Sequence, residues 1–521
     1  MNKRKLPIGG IQTFSELREE YDVYVDKTQH VYNMASRYKT VFLSRPRRFG
    51  KSLLCSTIKS VFRNEKKLFE GLAISKTDWE WKEHPIIHLD LSIDDFTGDN
   101  GVEVLINLLN CKLDEVCNSY NISVERNEFI GSRFYQIISE LSRKIGKVAV
   151  IIDEYDNPLL STINKKELNA KLREKLKGFY SVLKGADEHL RFVFITGITK
   201  FAQITLFSGM NQPNDISMMP EYCDVCGITQ TELEDKFDYE INEYAKKYGG
   251  KENYLRELKD YYNGYFFTEK KVSVYNPYGI LNHFDKSAEF TPYWSLSGTP
   301  SLALKYLEMK GVNVIDIEEA RMEAGKFADY KDDSISIFPL LYQAGYLTIS
   351  DYDERTGVYR LNYPNIDVRK TFAEFLANNY SEAQSIAAKA VSIEFADALL
   401  KGDVEEFMNL LKWYLHTVDY SLSSKITEHY VEFAVSNIIN MLGLVCKNEA
   451  HTANGRMDSV IFTKNRIYIF EFKVDKPVEN ALRQMKRKDY ALFYEKDGRE
   501  IVEVGVVFSR ESRNIVEWKV G

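Results

Sequence analysis

The chain has 521 residues, which is long enough for two to four domains, and its composition is that of an ordinary globular protein with many Tyr and Phe side chains. Its net charge of −7 excludes a generally basic protein that coats nucleic acid, so any such contact must come from local patches. No apolar stretch approaches the ~20 residues of a membrane span, and no apolar signal core follows the basic first residues. The six cysteines are scattered, which suits a reducing compartment. We therefore expect a cytoplasmic protein without a membrane partner.

The first chemical signal along the chain is a Gly-Lys-Ser tripeptide between an apolar strand and an apolar helix. Residues 41–43 predict the strand, and Gly50, Lys51 and Ser52 open the helix. Backbone N–H groups and the dipole at a helix start favour phosphate. In a phosphate loop the Lys reaches the β- and γ-phosphates of ATP, and the Ser hydroxyl ligates Mg²⁺. The predicted ATP-binding residues of this loop are Arg45, Arg47, Arg48, Phe49, Gly50, Lys51, Ser52 and Leu53.

One position departs from the usual phosphate-loop pattern, because Arg45 stands where the first Gly is expected. Arg47 and Arg48 add two more cations to the loop. Two roles are open for the three arginines: they contact the phosphates or the catalytic carboxylates, or they pair with acidic neighbours. A Gly-Lys-Ser tripeptide also occurs by chance, so the loop assignment depends on finding its partner strand.

The partner is an apolar strand that ends in two acids. Residues 148–152 are apolar and mostly β-branched, which predicts a parallel strand buried on both faces, and Asp153 and Glu154 follow it. In phosphate-loop ATPases the Asp holds the Mg²⁺ shell and the Glu polarises the attacking water. An acidic loop that caps a helix would explain these two acids alone. We predict ATP binding and hydrolysis, with Asp156 tuning the carboxylates.

A third apolar strand, residues 192–195, ends in a polar tip. Thr196 and Thr199 are the candidates for sensing the γ-phosphate there, and Lys200 is a candidate for stabilising charge. Three strands with polar tips in this order are not explained by a helix-capping loop. The third strand therefore strengthens the prediction of a nucleotide site.

The pattern changes at residue 338, where a short apolar helix is followed by two predicted strands, residues 345–349 and 358–361, and by a helix from Asn365. Helix, hairpin and helix in this order predict a winged-helix segment behind the ATPase core. Such a segment either reports the nucleotide state as a lid or binds DNA, and we favour the lid.

A second constellation lies near the C-terminus. Asp458 precedes a predicted strand, and Glu471 and Lys473 lie on one face of the next strand, because strand side chains alternate. A hairpin would bring Asp458 beside Glu471. Two carboxylates there provide oxygen ligands for Mg²⁺, which activates water and polarises a phosphodiester. Lys473 would position the water or stabilise the developing charge. The alternative is an exposed strand with alternating charges, but Glu471 ends a very apolar run, where an unpaired charge is costly.

Two flanking helices complete this candidate site. Glu428 precedes an amphipathic helix and is predicted to complete the metal shell, and Gln484 is predicted to support catalysis from a helix over residues 482–492. Arg483, Lys486, Arg487 and Lys488 make that helix basic, which suits a phosphate backbone. In isolation, a solvated helix face would be the simpler interpretation.

Several strings carry a family resemblance, among them RPRRFGKSLL, IIDEYDNPL, TGITKFAQITLFSGMNQPNDIS, VYNP, LLYQAGYLTI, GRMDSVIF and IYIFEFK. The chain resembles, over nearly its whole length, the bacterial family of predicted AAA-like ATPases fused to a PD-(D/E)XK nuclease-like domain. The resemblance implies that Arg in the phosphate loop is a family trait. It also implies that the segment from Tyr24 to Thr28 lies near the nucleotide.

These observations predict an α/β protein in three parts. Residues 1–235 form a phosphate-loop ATPase core with a parallel sheet, residues 236–385 form a helical lid with the winged-helix segment, and residues 386–521 form a PD-(D/E)XK nuclease-like α/β domain. The predicted function is Mg²⁺-dependent ATP hydrolysis coupled to a nuclease that acts on nucleic acid. The alternative is a nucleotide-controlled switch or scaffold that binds DNA or protein without cutting. A small-molecule kinase is disfavoured because no acceptor site is evident after residue 235. Self-association stays open.

Overall fold

The computed structural model describes residues 4–200, 207, 213–270, 272–294, 321–323, 338–371, 394–395, 398–399, 401–417, 445–452, 455–463 and 465–521. These residues form two compact units, the first containing those up to Asn365 and the second those from Ile366 onward. The three-part division at residues 235 and 385 stays a prediction. None of the helices in the described ranges combines the length and apolar character needed to cross a bilayer.

A five-stranded parallel sheet forms the centre of the first unit. Its strands are β1 Thr40–Ser44, β2 Ile86–Asp90, β3 Val148–Asp153, β4 Leu190–Gly197 and β5 Asn214–Asp215. Their order across the sheet is β2-β3-β4-β1-β5, and every pairing is parallel. All six residues of β3 are buried, as expected for an apolar strand that is covered on both faces.

Helices cover both faces of this sheet. They are α1 Phe14–Glu20, α2 Thr28–Arg37, α3 Lys51–Phe62, α4 Gly101–Ser119, α5 Ile130–Lys144, α6 Asn157–Ser161 and α7 Lys166–Gly185. The apolar sides of α4, α5 and α7 form one continuous core with β2, β3 and β4. On the opposite face, Phe62 of α3 stacks on Phe192 of β4 with ring centroids 5.3 Å apart. The α/β core predicted from the sequence is therefore present, and the carboxyl ends of β1, β3 and β4 share one edge, where ligands bind in such folds.

A helical segment with a small sheet follows the core. It contains β6 Ile228–Thr229, α8 Gln230–Lys236, α9 Asp238–Tyr244, α10 Lys251–Tyr262, β7 Val274–Tyr275 and α11 Pro277–Asp285. Asn276 caps α11 by accepting hydrogen bonds from the backbone N–H groups of Tyr278 and Gly279. The cap fixes where α11 begins, which matters for the site below.

The predicted hairpin lies at the end of the first unit. Helix α12 Phe338–Gln343 precedes β9 Thr348–Asp353 and β10 Val358–Asn362, and β8 Arg321–Glu323 completes a three-stranded antiparallel sheet in the order β8-β10-β9. The hairpin was predicted from the sequence, whereas the three-residue β8 was not. This arrangement is compatible with a winged helix, but the winged-helix lid itself stays a prediction.

The second unit is built on a mixed five-stranded sheet. Its elements are α13 Val404–Thr417, β11 Val445–Thr452, β12 Gly455–Phe462, β13 Arg466–Val474, α14 Val478–Lys488, β14 Glu500–Ser509 and β15 Asn514–Val520. The strands are ordered from β11 to β15, and only β13 and β14, which α14 connects, run parallel. One face carries an apolar cluster with α13, and the other carries a smaller cluster with Met485 of α14.

Candidate functional site

The phosphate loop runs from the end of β1 to the start of α3. Gly50, at the N-cap of α3, has φ +94°, and Arg48 has φ +65°, so two residues of this short loop adopt left-handed backbone conformations. The loop forms one wall of a cavity of about 460 Å³. The loop residues that line the cavity are Arg47, Arg48, Phe49, Gly50, Lys51, Ser52 and Leu53.

Lys51 is buried at the bottom of this loop. Its Nζ donates a hydrogen bond to the Pro46 carbonyl at 3.2 Å and lies 3.2 Å from Oε1 of Glu154. Glu154 lines the cavity and has φ +50°. The predicted phosphate-binding cation and the predicted water-activating carboxylate are therefore in direct contact.

Asp153 ends β3 next to Ser52. Burial raises the pKa of Asp153, and the neighbouring Glu154 raises it further, whereas a hydrogen bond from the Ser52 hydroxyl lowers it. The two side chains predicted to hold Mg²⁺ are thus in hydrogen-bond contact. A carboxylate that is costly to keep charged beside a hydroxyl oxygen fits a site that receives a cation.

Asp156 has a structural role that the sequence did not reveal. Its Oδ2 accepts hydrogen bonds from the backbone N–H and the hydroxyl of Thr199, at 2.7 and 2.6 Å, and its Oδ1 accepts one from the Ile198 N–H at 3.3 Å. Burial raises the pKa of Asp156 to about 6. A Cβ on Gly197 would lie 2.3 Å from Oδ1, so Gly is required where the β4 tip passes Asp156.

The structure does not bring the two predicted sensor threonines to the cavity. The Thr196 hydroxyl donates to the Leu43 carbonyl, Thr199 binds Asp156, and both side chains are buried away from the cavity wall. Lys200 pairs with Asp215 at 2.8 Å and does not line the cavity. The polar residues at the β4 tip therefore hold the sheet edge together, because a buried hydroxyl or ammonium group takes the nearest backbone or carboxylate partner.

Arg45 is likewise turned away from the cavity. Its guanidinium donates to the carbonyls of Ser44, Ser217 and Tyr222 at 2.8–2.9 Å and lies 4.1 Å from the ring centroid of Phe267. Three backbone carbonyls and an aromatic face hold the buried guanidinium in this structure, and a contact of Arg45 with the nucleotide stays a prediction. Arg47 and Arg48 do line the cavity, so they are the arginines that could meet phosphate.

Part of the cavity wall was not predicted. Tyr278 and Asn282 of α11 line the cavity, and the Arg48 guanidinium lies 5.1 Å from the Tyr278 ring centroid. The Asn276-Pro277 pair before Tyr278 indicates a helix start in the sequence but does not place that helix at the cavity. Apolar side chains, among them those of Leu17 and Val23, line the cavity as well. Tyr24, Val25 and Lys27, from the segment expected near the nucleotide, also line the cavity.

The second site lies on the face of the C-terminal sheet that α14 covers. Ser459 of β12 pairs with Phe470 of β13, and continuing this antiparallel register places Asp458 opposite Glu471. Oδ2 of Asp458 accepts a hydrogen bond from the Phe472 N–H at 2.8 Å. The predicted hairpin therefore brings the two carboxylate residues together.

Glu471 is fully buried, and its two oxygens have different environments. Oε1 lies 2.7 Å from Lys473 Nζ, which also donates to the Phe472 carbonyl at 2.9 Å. Oε2 is buried and finds no hydrogen-bond partner in the described part of the chain. Burial raises the pKa of Glu471, as does Asp458, whereas Lys473 and Lys488 lower it. An orphaned carboxylate oxygen next to a second acid is an arrangement that a divalent cation would satisfy.

The flanking residues are placed only in part. Glu428 lies outside the described residues. Gln484 is half-buried on α14, one helical turn before Lys488. Gly505 of β14 pairs with Glu471 and lets α14 approach, because a Cβ there would lie 3.1 Å from that of Ala481. Within the described ranges, no group of three or more His, Cys, Asp or Glu residues is arranged to hold a metal ion.

Known proteins share both halves of this architecture. Residues 7–207 match the family described as predicted AAA-ATPase, and residues 426–518 match the PD-(D/E)XK nuclease superfamily. The chain is similar to a protein of Azotobacter chroococcum mcd 1 described as an uncharacterized protein in the vnfD 5' region. The two are 33% identical over 532 residues, which cover 100% of this chain and 99% of the relative.

The chain therefore belongs to the family in which a predicted AAA-ATPase domain is joined to a PD-(D/E)XK nuclease superfamily domain. The family resemblance and the fold class predicted from the sequence are confirmed: a phosphate-loop α/β core and a C-terminal nuclease-like α/β domain.

Proposed function

We propose that the first unit binds ATP in the 460 Å³ cavity and hydrolyses it. The observation that carries the proposal is that Lys51, Ser52 and Glu154 line this cavity, with Lys51 paired to Glu154 and Asp153 hydrogen-bonded to Ser52. The volume lies in the range of about 300–1,000 Å³ that is typical of small-molecule sites. The apolar lining residues, among them Leu17 and Val23, suit a base, and the cationic loop suits phosphates.

The contacts of Lys51 suggest how binding prepares hydrolysis. Phosphate oxygens would replace the Pro46 carbonyl and Glu154 as partners of Nζ. Glu154, released from Lys51, would then accept a proton from the attacking water. Ser52 and Asp153 are the residues that would hold Mg²⁺, which would neutralise charge on the β- and γ-phosphates.

ATP titration by calorimetry tests this proposal. Lys51→Ala should weaken ATP binding at least tenfold, because it removes a charged hydrogen-bond donor from a buried site. Lys59→Ala, in the same helix but outside the cavity wall, is the matched control and should bind as wild type does. Equal affinity of Lys51→Ala and wild type would refute the nucleotide site.

We propose that α12 and the β9–β10 hairpin act as a lid element that responds to the nucleotide. Two contacts support this role. The Lys200 N–H donates to Oε1 of Gln343 at 2.9 Å, which joins α12 to the β4 tip. Gly345 lies so close to the phosphate loop that a Cβ there would be 2.8 Å from Pro46. A movement of the phosphate loop on nucleotide binding would therefore shift α12 and the hairpin through these contacts.

We propose that the second unit is a metal-dependent nuclease-like domain that acts on nucleic acid in the cytoplasm. The orphaned Oε2 of Glu471, beside Asp458 and Lys473, supports the site. Asp458 and Glu471 would hold Mg²⁺, which would activate water toward a phosphodiester. Lys473 would then stabilise negative charge on the phosphate, and the basic end of α14 would hold the backbone. The free thiols of Cys55, Cys111, Cys117, Cys223 and Cys226 suit a reducing compartment.

A cleavage assay tests the nuclease proposal. Purified protein is incubated with single- and double-stranded DNA and RNA, with Mg²⁺ or Mn²⁺, in the presence and absence of ATP. Metal-dependent cleavage that EDTA abolishes is expected.

The second candidate is a nucleotide-controlled switch or scaffold that binds without cutting. It is favoured by one observation, that the described residues supply only two clustered carboxylates at the second site. Binding of nucleic acid without cleavage under every condition would favour this candidate.

A further inference from the structure

The last turn of α14 leads into a short aromatic segment with an unusual surface. We call the 3₁₀ helix Ala491–Asp497 the aromatic turn. Leu492 and Phe493 in this turn are 56% and 58% exposed, which is uncommon for two adjacent large apolar side chains. The Phe493 N–H donates to the Tyr490 carbonyl at 3.3 Å, and Lys488 Nζ lies 5.8 Å from the Tyr490 ring centroid. Tyr490 thus joins the exposed ring to the end of the basic helix.

The exposed ring has a firm support. Phe493 packs edge-on against Tyr494 with centroids 4.9 Å apart, and Tyr494 packs edge-on against Phe462 of β12 at 5.5 Å. Tyr494 and Tyr490 belong to the apolar cluster on the α14 face of the sheet. The ring is therefore presented by a packed layer and offers an aromatic surface to solvent at little cost in side-chain entropy.

A run of cations precedes the aromatic turn. Lys486, Arg487 and Lys488 fill the last turn of α14, and within the described residues none of them forms a salt bridge. The helix dipole accounts for cations at a helix C-terminus. The dipole does not account for the exposed aromatic ring in the turn that follows. Cations without a salt bridge, followed by an exposed aromatic side chain, match a ligand that has both phosphates and accessible base faces.

We infer that the aromatic turn and the end of α14 form a binding site for single-stranded nucleic acid, in which Phe493 stacks on a base and Lys486 and Arg487 contact the backbone. A paired duplex does not present its base faces, so the ring selects unpaired nucleotides. The inference rests on the proposed nucleic-acid role of the second unit and names its substrate class.

Fluorescence anisotropy on the full chain tests the inference. The two labelled ligands are a thymidine oligomer of about 12 nucleotides and a blunt duplex of the same length, and EDTA is present to prevent cleavage. Phe493→Ala should bind the single strand about tenfold more weakly at every salt concentration, since it removes one stacked base but no charge. Phe493→Trp keeps an aromatic ring and should bind the single strand about as tightly as wild type does. Lys486→Ala should instead reduce the slope of log affinity against log salt by about 0.7. Phe129→Ala, which removes a ring that is 72% exposed in the first unit, is the matched control and should bind as wild type does.

Three results would overturn the inference. The first is that Phe493→Ala binds the single strand as tightly as wild type does. That result would not contradict nucleic-acid binding and cleavage by the second unit. Another is an equal loss of duplex binding, because stacking on an unpaired base cannot explain it. The third is the absence of binding to any oligonucleotide by wild type, which would also remove the proposed nucleic-acid role. Unchanged ATP affinity and circular dichroism of Phe493→Ala would show that the variant is folded.

Discussion

Glu154 holds a left-handed backbone conformation at the tip of β3, φ +50°, with its carboxylate 3.2 Å from Lys51. A left-handed backbone conformation is unfavourable for any residue other than Gly. It persists only where the surrounding structure imposes it. We expect Glu154→Gln to retain ATP binding while phosphate release slows by about 10²–10⁴-fold, since an amide cannot accept the proton of water. Calorimetry and a phosphate-release assay on the same preparation separate the two effects. Wild-type turnover of this variant would exclude Glu154 as the general base.

Asp156 links folding stability to pH through a buried carboxylate. Its pKa is about 6, above the ordinary value of 3.8, so between these values the folded state holds a proton that the unfolded chain has released. This contribution to stability is present below pH 3.8 and is lost as the pH rises through 6. Relative to Asp156→Asn, wild type should therefore lose about 1–1.5 kcal/mol of stability from about pH 5 to 8. Denaturant unfolding of both proteins measures the difference, and a constant difference across this range would contradict the assignment.

At the scale of elements, the contact between α12 and the phosphate loop depends on a glycine. Gly345 has φ +85°, and a Cβ there would lie 2.7 Å from Trp294 and 2.8 Å from Pro46. Gly357, in the hairpin, has φ +67° but has no atom within 4 Å of such a Cβ. Both Ala variants are destabilised by the left-handed backbone conformation. Only Gly345→Ala also introduces a clash, which should lower the free energy of unfolding by about a further 1–3 kcal/mol. We expect Gly345→Ala to have the lower unfolding temperature and to bind ATP more weakly, as measured by calorimetry and thermal unfolding. Equal behaviour of the two variants would argue against the lid contact.

The elements also show how far the sequence could predict this molecule. β3 and β13 were identified because an apolar run followed by charged residues fixes both the strand and the position of its functional end. The partners of Thr199 and Arg45 were not foreseen. Asp156 is 43 residues from Thr199, and Ser217 is 172 residues from Arg45, so local patterns carry no record of these contacts. Tyr278 was missed for the same reason, since only tertiary packing brings α11 against Arg48.

At the scale of the whole molecule, the two candidate sites lie in different compact units, each with its own sheet and apolar core. The chemistry of each site uses residues of its own unit. Each proposal can therefore be tested by substitutions within its own unit.

The last prediction concerns the second site in the intact chain. Asp458→Asn and Glu471→Gln keep the side-chain volumes but remove the negative charge that a divalent cation needs, so Mg²⁺-dependent cleavage should fall at least about 100-fold. Glu500→Gln is the matched control, because Glu500 is an exposed acid of the same sheet that pairs with Arg466. Mn²⁺ binding, followed by calorimetry, should be lost in the first two variants and kept in the control, which gives a readout that does not depend on cleavage. ATP affinity should be the same in all three variants.

Cleavage that persists in both Asp458→Asn and Glu471→Gln would place the reaction elsewhere. Normal Mn²⁺ binding without cleavage in wild type would instead favour a scaffold that holds nucleic acid without cutting it.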